Sequence, residues 1–261
     1  MTQPAPVTLS SAPAFSVPQW RRVWRLLRVV VHIVYGLLLA LVTGAFWRPY
    51  RPLVRRATNH WLNALLAILN IQIEYRGRAD DRPALWVANH ISWLDIVVLR
   101  ASHELYFLSK AEVREWPLIG HLAAAAGTLF IRRGSGESGR KAAEIADHLR
   151  AGRTVLVFPE GTSTRGDSVR RFFPQLFSAA QNAAVAVQPV ALSYPAADGR
   201  ADPELAFIGN DAFHTHLWRL LLRDRISVRL SFCEPLMVED VVALPRDQLA
   251  RMSRERIAGH I

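Results

Sequence analysis

No Asp or Glu precedes Glu74, Cys233 is the one cysteine, and Lys110 and Lys141 are the only lysines against thirty arginines. Each scarcity excludes something. One cysteine rules out an intramolecular disulfide, which suits a reducing compartment. Cys233 follows the alternating apolar run Ile226 to Phe232 and reads as a buried packing residue, not a nucleophile. With no early acids, Arg21, Arg22, Arg25, Arg28, Arg48, Arg51, Arg55 and Arg56 put +8 of the net +10 into the first 73 residues. A nucleic-acid binder spreads its basic residues over a folded face or recognition element. Here they flank apolar segments, which favours anionic lipid headgroups. Charge is also missing from Thr2 to Pro18, a Pro/Ser/Ala-rich stretch expected to form a disordered lead over residues 1–19.

What is present is apolar. The 261 residues are 51% hydrophobic, enough for one large domain or for a domain with an anchor. Val29 to Trp47 runs nineteen residues without a formal charge, long enough to cross a hydrocarbon core and long for a signal-peptide core. Four arginines lie on each side, so the positive-inside rule gives no orientation. A spanning helix, a helix lying in one leaflet with its arginines snorkelling outward, and a buried core helix all remain open. Trp20, Trp24, Trp47 and Tyr50 fit interfacial anchoring in the first two. Residues 20–70 are expected to form a membrane-anchoring helical segment, with Trp61 to Leu69 a second apolar helical stretch.

From residue 71 to 261 the pattern changes. Ile71 to Tyr75 alternates as a strand, and Ala84 to Ala88 is a continuous apolar strand running into Asn89 and His90. Thr128 to Ile131, Thr154 to Phe158, Ala186 to Tyr194 and an edge-like Ile226 to Phe232 read as further strands. Arg140 to Arg150 reads as a helix stopped by Gly152, after a flexible loop at Gly134 to Gly139. The expected fold is α/β: a mixed, largely buried sheet flanked by helices, with an N-terminal membrane-associated helical segment.

Asn89-His90-Ile91-Ser92-Trp93-Leu94-Asp95 holds the candidate chemistry. A histidine takes a hydroxyl proton near neutral pH, and a carboxylate beside it fixes the tautomer and stabilises the imidazolium. On one continuous helix, residues five apart point roughly 140° from each other. His90 and Asp95 meet only if His90 lies in the loop after the strand and Asp95 in the first helical turn. Ser92 to Asp95 matches a capping box with Ser92 as N-cap, consistent with that arrangement. By itself the pair is equally well a surface histidine and a helix-capping aspartate. His214-Thr215-His216 has no cysteine or acid at ligand spacing and reads as a surface or capping feature.

Four blocks then fall into one order: Asn89-His90-x-Ser92-x-x-Asp95, Gly127 to Arg133, Phe158-Pro159-Glu160-Gly161-Thr162, and Val187-Gln188-Pro189-Val190-Ala191. Over residues 73 to 194 this resembles the glycerolipid and lysophospholipid acyltransferase family, of which 1-acyl-glycerol-3-phosphate acyltransferase is the best-known member. The resemblance implies His90 as general base and Asp95 as its partner. It implies acceptor binding by Glu160, Gly161 and Thr162 and by one of Arg132 and Arg133, the pattern favouring Arg133. Pro189 would shape the pocket, and Lys110, in Ser109-Lys110-Ala111-Glu112, matches a position that is commonly Lys. The third block departs from the family: Ser163 stands where Arg is usual, with Arg165, Arg170 and Arg171 nearby to compensate. Serine cannot supply the planar bidentate fork by which Arg holds phosphate.

The expected activity is transfer of a fatty acyl group from acyl carrier protein or acyl-CoA to a lysolipid hydroxyl, foremost 1-acyl-glycerol-3-phosphate giving phosphatidate. The altered third block leaves lyso-ornithine lipid as an alternative acceptor. No metal or cofactor and no nucleic acid is expected, since the thioester is already activated. The expected place is the bacterial inner membrane with the site facing the cytoplasm. A non-catalytic lipid-binding protein would explain the Arg-flanked apolar segments but not four polar blocks at strand ends.

Overall fold

The computed structural model describes residues 18–131 and 138–261. In chain order the helices and strands are α1 (Gln19–Thr43), α2 (Pro52–Leu69), β1 (Ile71–Arg76), β2 (Ala84–Ala88), α3 (Leu94–Ser102), β3 (Tyr106–Lys110), α4 (Ile119–Ala125), β4 (Leu129–Ile131), α5 (Ser138–Arg150), β5 (Val155–Val157), α6 (Ser178–Ala183), β6 (Ala186–Ser193), α7 (Phe213–Leu222), β7 (Ile226–Phe232), α8 (Val238–Ala243) and α9 (Arg246–Ala258). The strands form one seven-stranded sheet in the order β1-β7-β6-β2-β5-β3-β4. Every pair is parallel except β6 with β7. This is the mixed, helix-flanked sheet expected from the sequence. Its central strands are apolar on both faces because helices cover both: β2 and β5 are buried throughout.

Two expectations are corrected. The alternation of β7 suggested an edge strand, but β7 lies between β1 and β6, and the edge on that side is β1. Arg229, the charged residue in that alternation, reaches across to Glu74 on β1 at 3.1 Å, so its charge is met without leaving the sheet. The helix expected from Ser92 begins at Leu94. The expected loop at residues 134–139 falls mainly outside the described residues, its last two positions opening α5. The expected lead at residues 1–19 also lies outside them except for Pro18 and Gln19, and α1 already begins at Gln19.

The parallel strands place the site. β2, β5, β3 and β4 run the same way, so their C-terminal ends share one rim, where open α/β sheets bind ligands. His90 follows β2 and Glu160 follows β5 on that rim.

The two N-terminal helices close over the domain. Trp61 on α2 donates its indole N–H to the His32 carbonyl at 2.9 Å, and His32 Nε2 donates back to the Trp61 carbonyl at 2.9 Å. The two rings stack with centroids 4.6 Å apart. Gly36 permits this approach, because a Cβ there would lie 2.5 Å from Trp61 Nε1. Arg25, near the start of α1, donates to the carbonyls of Arg223 and Asp224 at the far side of the domain. Ala40 and Ala45, at its other end, pack with Val54 and Ala125. α1 therefore touches the domain along its length. Its outer face stays apolar, with Trp24, Leu27, Val31, Val34, Leu38 and Val42 exposed at helical spacing and Val42 at 84%.

Candidate active site

β2 ends at Ala88 and the chain turns away from the sheet through Asn89 and His90. Asn89 is fully buried and bridges to β6, donating to the Leu192 carbonyl at 2.9 Å and accepting the Leu192 N–H at 2.8 Å. This pins the strand end from which His90 departs. Asp95 sits in the first turn of α3, and its side chain is fully buried. Its Oδ2 accepts from His90 Nδ1 at 2.7 Å, the Ile91 N–H at 2.7 Å and the Ser92 N–H at 3.0 Å. Its Oδ1 accepts the Tyr194 hydroxyl at 2.6 Å. The capping box is thus half formed. The acid reaches back to Ser92 N–H, while Ser92 Oγ accepts from Leu94 N–H, at 3.4 Å, instead of from Asp95.

The geometry fixes a tautomer. An ionised carboxylate only accepts, so Nδ1 carries the hydrogen and Nε2 of the neutral ring carries the lone pair. Among the described residues nothing hydrogen-bonds to Nε2, and the His90 side chain is 21% exposed. Phe158 stacks on the imidazole with centroids 4.1 Å apart and planes 16° apart, holding the ring flat. Tyr194 is fully buried; burial, then the Asp95 charge, pushes its phenol well above the usual tyrosine range, so it stays a donor.

Glu160 acts on the backbone. Oε1 accepts the His90 N–H at 2.8 Å and Oε2 accepts the Arg170 N–H at 2.9 Å, clamping the His90 turn to the segment after β5. Burial raises its pKa from the ordinary value, and the two N–H bonds offset part of that. Both oxygens are therefore committed to protein donors. Gly161 adopts φ of +71°, and a Cβ there would come within 3.0 Å of the Phe173 ring, so the turn requires glycine.

These residues border a cavity of about 1290 Å³. His90, Glu160, Gly161, Thr162, Ser163, Arg170 and Arg171 line its polar part. Its long apolar part runs between α1, α2 and α3, against Leu39, Leu62, Leu65, Ile96, Val97 and Phe107. An alkyl chain entering such a space gains roughly 0.8 kcal/mol per methylene removed from water.

The other expected site residues fall in different places. Thr162 lines the cavity. Lys110 closes β3, on the same rim as His90. Arg132 and Arg133 lie outside the described residues. Pro189 is inside β6 opposite Val87, away from the cavity lining. Of the arginines near Ser163, Arg170 and Arg171 line the cavity and Arg165 is exposed away from it. Ser163 is itself engaged, its hydroxyl donating to the Phe207 carbonyl.

His216 corrects the reading of His214 to His216 as a surface feature. His214 is exposed, but His216 is fully buried, accepting the Trp93 indole N–H at Nδ1 at 3.0 Å and donating from Nε2 to the Leu205 carbonyl at 3.3 Å. Burial lowers its pKa, which keeps it neutral and able to accept. Cys233 is buried as expected, its thiol pushed up to about 11 by burial.

The sequence assigns no role to Tyr194, nor to Asn89 and Phe158, although these two stand in the ordered blocks. Tyr194 leaves β6 on the rim that His90 leaves from β2. Knowing that β2 and β6 pair in parallel would have been enough to place it.

A family model described as Acyltransferase matches residues 70–193. The lyso-ornithine lipid O-acyltransferase of Pseudomonas aeruginosa is 48% identical over 79% of this chain and 78% of its own. The enzyme of that name from Rhodobacter capsulatus is 38% identical over 80% and 79%. The 1-acyl-sn-glycerol-3-phosphate acyltransferase of Neisseria meningitidis is 34% identical over 64% and 67%. In fold, the crystal structure of the 1-acyl-sn-glycerophosphate acyltransferase of Thermotoga maritima superposes with a TM-score of 0.59 at 20% identity, over 90% of this chain and 95% of that one. With these similarities laid over the four ordered blocks, the chain belongs to the acyltransferase family.

Proposed function

We propose that the protein transfers a fatty acyl group from an acyl thioester to the free hydroxyl of lyso-ornithine lipid, with His90 as general base and Asp95 as its partner. The observation that carries the chemistry is the His90–Asp95 pair, with Nδ1 tied to a buried carboxylate and the ring facing a lipid-sized cavity. Nε2 takes the acceptor's hydroxyl proton as its oxygen attacks the thioester carbonyl. The tetrahedral intermediate collapses, the C–S bond breaks, and the proton passes from Nε2 to the departing thiolate. The products are an ester and a free thiol. The thioester of acyl carrier protein or coenzyme A is the donor, and the step draws on no metal or further cofactor.

The acceptor differs from the one first expected, 1-acyl-glycerol-3-phosphate. The relatives named for lyso-ornithine lipid align over more of the chain and, in P. aeruginosa, at higher identity than the Neisseria enzyme named for the phosphate acceptor. Ser163 in place of the usual Arg removes a phosphate fork. An ornithine headgroup instead presents one carboxylate and one ammonium, and Arg170 and Arg171 suit the carboxylate. Assayed with one acyl carrier protein donor, lyso-ornithine lipid is expected to show kcat/KM at least about tenfold above lysophosphatidate, a difference of about 1.4 kcal/mol. A reversed preference would return the acceptor to the phosphate class.

The apolar outer face of α1 supports membrane association, and we infer that α1 lies in one leaflet, at the cytoplasmic membrane with the site on the cytoplasmic side. Both ends of α1 contact the domain, Arg25 near one end and Ala40 near the other, which supports a helix lying along one leaflet. Leu38→Glu with Val42→Glu, both on the exposed face, is expected to lower flotation with anionic vesicles at least about tenfold while the circular dichroism spectrum holds. Unchanged flotation would place the contact elsewhere.

A further inference from the structure

Resting on the lyso-ornithine reading, we propose that the aromatic wall formed by Trp93, Trp116, Phe207 and Phe213 beside His90 binds the ammonium of the acceptor headgroup. All four side chains line the cavity that His90 lines. A cation there needs compensation, and the cavity offers no free carboxylate: Glu160 is the only acid lining it among the described residues, and both its oxygens already accept backbone N–H groups. Beside neutral hydroxyl and main-chain oxygens, this wall offers the negative faces of the rings, which attract an ammonium within about 6 Å.

The rings are held by the surrounding structure. The Trp93 indole is fixed by its N–H bond to buried, neutral His216. Phe213 lies 5.1 Å from Trp93 at 52° and 5.6 Å from Trp116 at 56°, so the three tilt around one another instead of stacking flat. Phe207 is tied to the catalytic turn, donating its N–H to the Ile91 carbonyl at 2.9 Å and accepting from Ser163 at its own carbonyl. The Ser163 departure therefore does two things at one point. It removes a guanidinium that would repel an ammonium, and it anchors one wall of the aromatic site. The Thr162 hydroxyl, also on the cavity, can accept one ammonium hydrogen.

The test compares lyso-ornithine lipid with its δ-N-acetyl derivative, which keeps the carboxylate but replaces the ammonium with a neutral, slightly larger amide. The native protein is expected to favour the charged acceptor about tenfold in kcat/KM, with the difference in KM. Phe213→Leu, which keeps an apolar side chain but removes the ring, is expected to bring that ratio close to one, and Phe213→Tyr, which keeps the ring, to restore it. Equal use of both acceptors by the native protein, or equal loss on both in Phe213→Leu, overturns the aromatic site while leaving the acceptor assignment standing. If the native protein acylates neither ornithine acceptor but does acylate lysophosphatidate, the acceptor assignment falls and this site with it.

Discussion

Replacing His90 with alanine is expected to reduce acyl transfer by about 10³- to 10⁴-fold, with folding and vesicle binding retained. The size of the loss follows from the chemistry. Without a base, a neutral hydroxyl must attack the thioester while still carrying its proton, and the departing thiolate has no positioned acid. The fold should survive because the imidazole is a side branch of the site. Its ring packs on Phe158, and its hydrogen bond goes to Asp95, which keeps the Ile91 and Ser92 N–H groups and the Tyr194 hydroxyl when the ring is gone. His90 also holds Glu160 through its backbone N–H, which alanine supplies equally. The loss should therefore fall on kcat, with acceptor KM little changed. Thiol release from an acyl carrier protein donor measures it, and a variant with more than a tenth of native turnover would end the general-base assignment.

That the site could be read at all from sequence depends on how local it is. β2 is a continuous apolar strand that must end at Asn89, and Asp95 is close enough along the chain to fold back on His90 once α3 begins. The turn after β5 is local too, since Gly161 with φ of +71° sits within the block that names it. What the sequence did not carry is what the sheet assembles. Tyr194 lies 99 residues from Asp95, and Leu192, the anchor of Asn89, lies 103 residues from it; only the parallel pairing of β2 with β6 brings them close. His216 appeared as half of a polar pair because the ring it serves, Trp93, is 123 residues away. β7 appeared as an edge strand because nothing in its own alternation tells that β1 lies beyond it. Glu160 was expected to face the acceptor. The backbone N–H groups that take its two oxygens belong to segments 70 residues before and 10 residues after it, and no residue pattern announces main-chain donors.

Asp95→Asn separates the charge of the partner from its geometry. An asparagine is nearly the same shape and has one acceptor oxygen and one donor nitrogen. The Oδ2 position faces three donors and the Oδ1 position faces one, the Tyr194 hydroxyl, which can rotate to accept. The amide oxygen should therefore settle where Oδ2 was, keeping the Ile91 and Ser92 bonds and the His90 tautomer. What is lost is the negative charge that stabilises the imidazolium as it forms. At about 4 Å and an effective dielectric near 20 that attraction is about 4 kcal/mol, which sets the expected fall in kcat at roughly 10³-fold. Stability should fall by about 1–2 kcal/mol, since hydrogen bonds to a charged acceptor become neutral ones. Tyr194 supplies the check on this account. Its hydroxyl reaches the reaction only through Asp95, so Tyr194→Phe should cost turnover in the native background and much less in the Asp95→Asn background. A double-mutant cycle in kcat measures the coupling, and simple additivity would mean that Tyr194 does not act through the Asp95 charge.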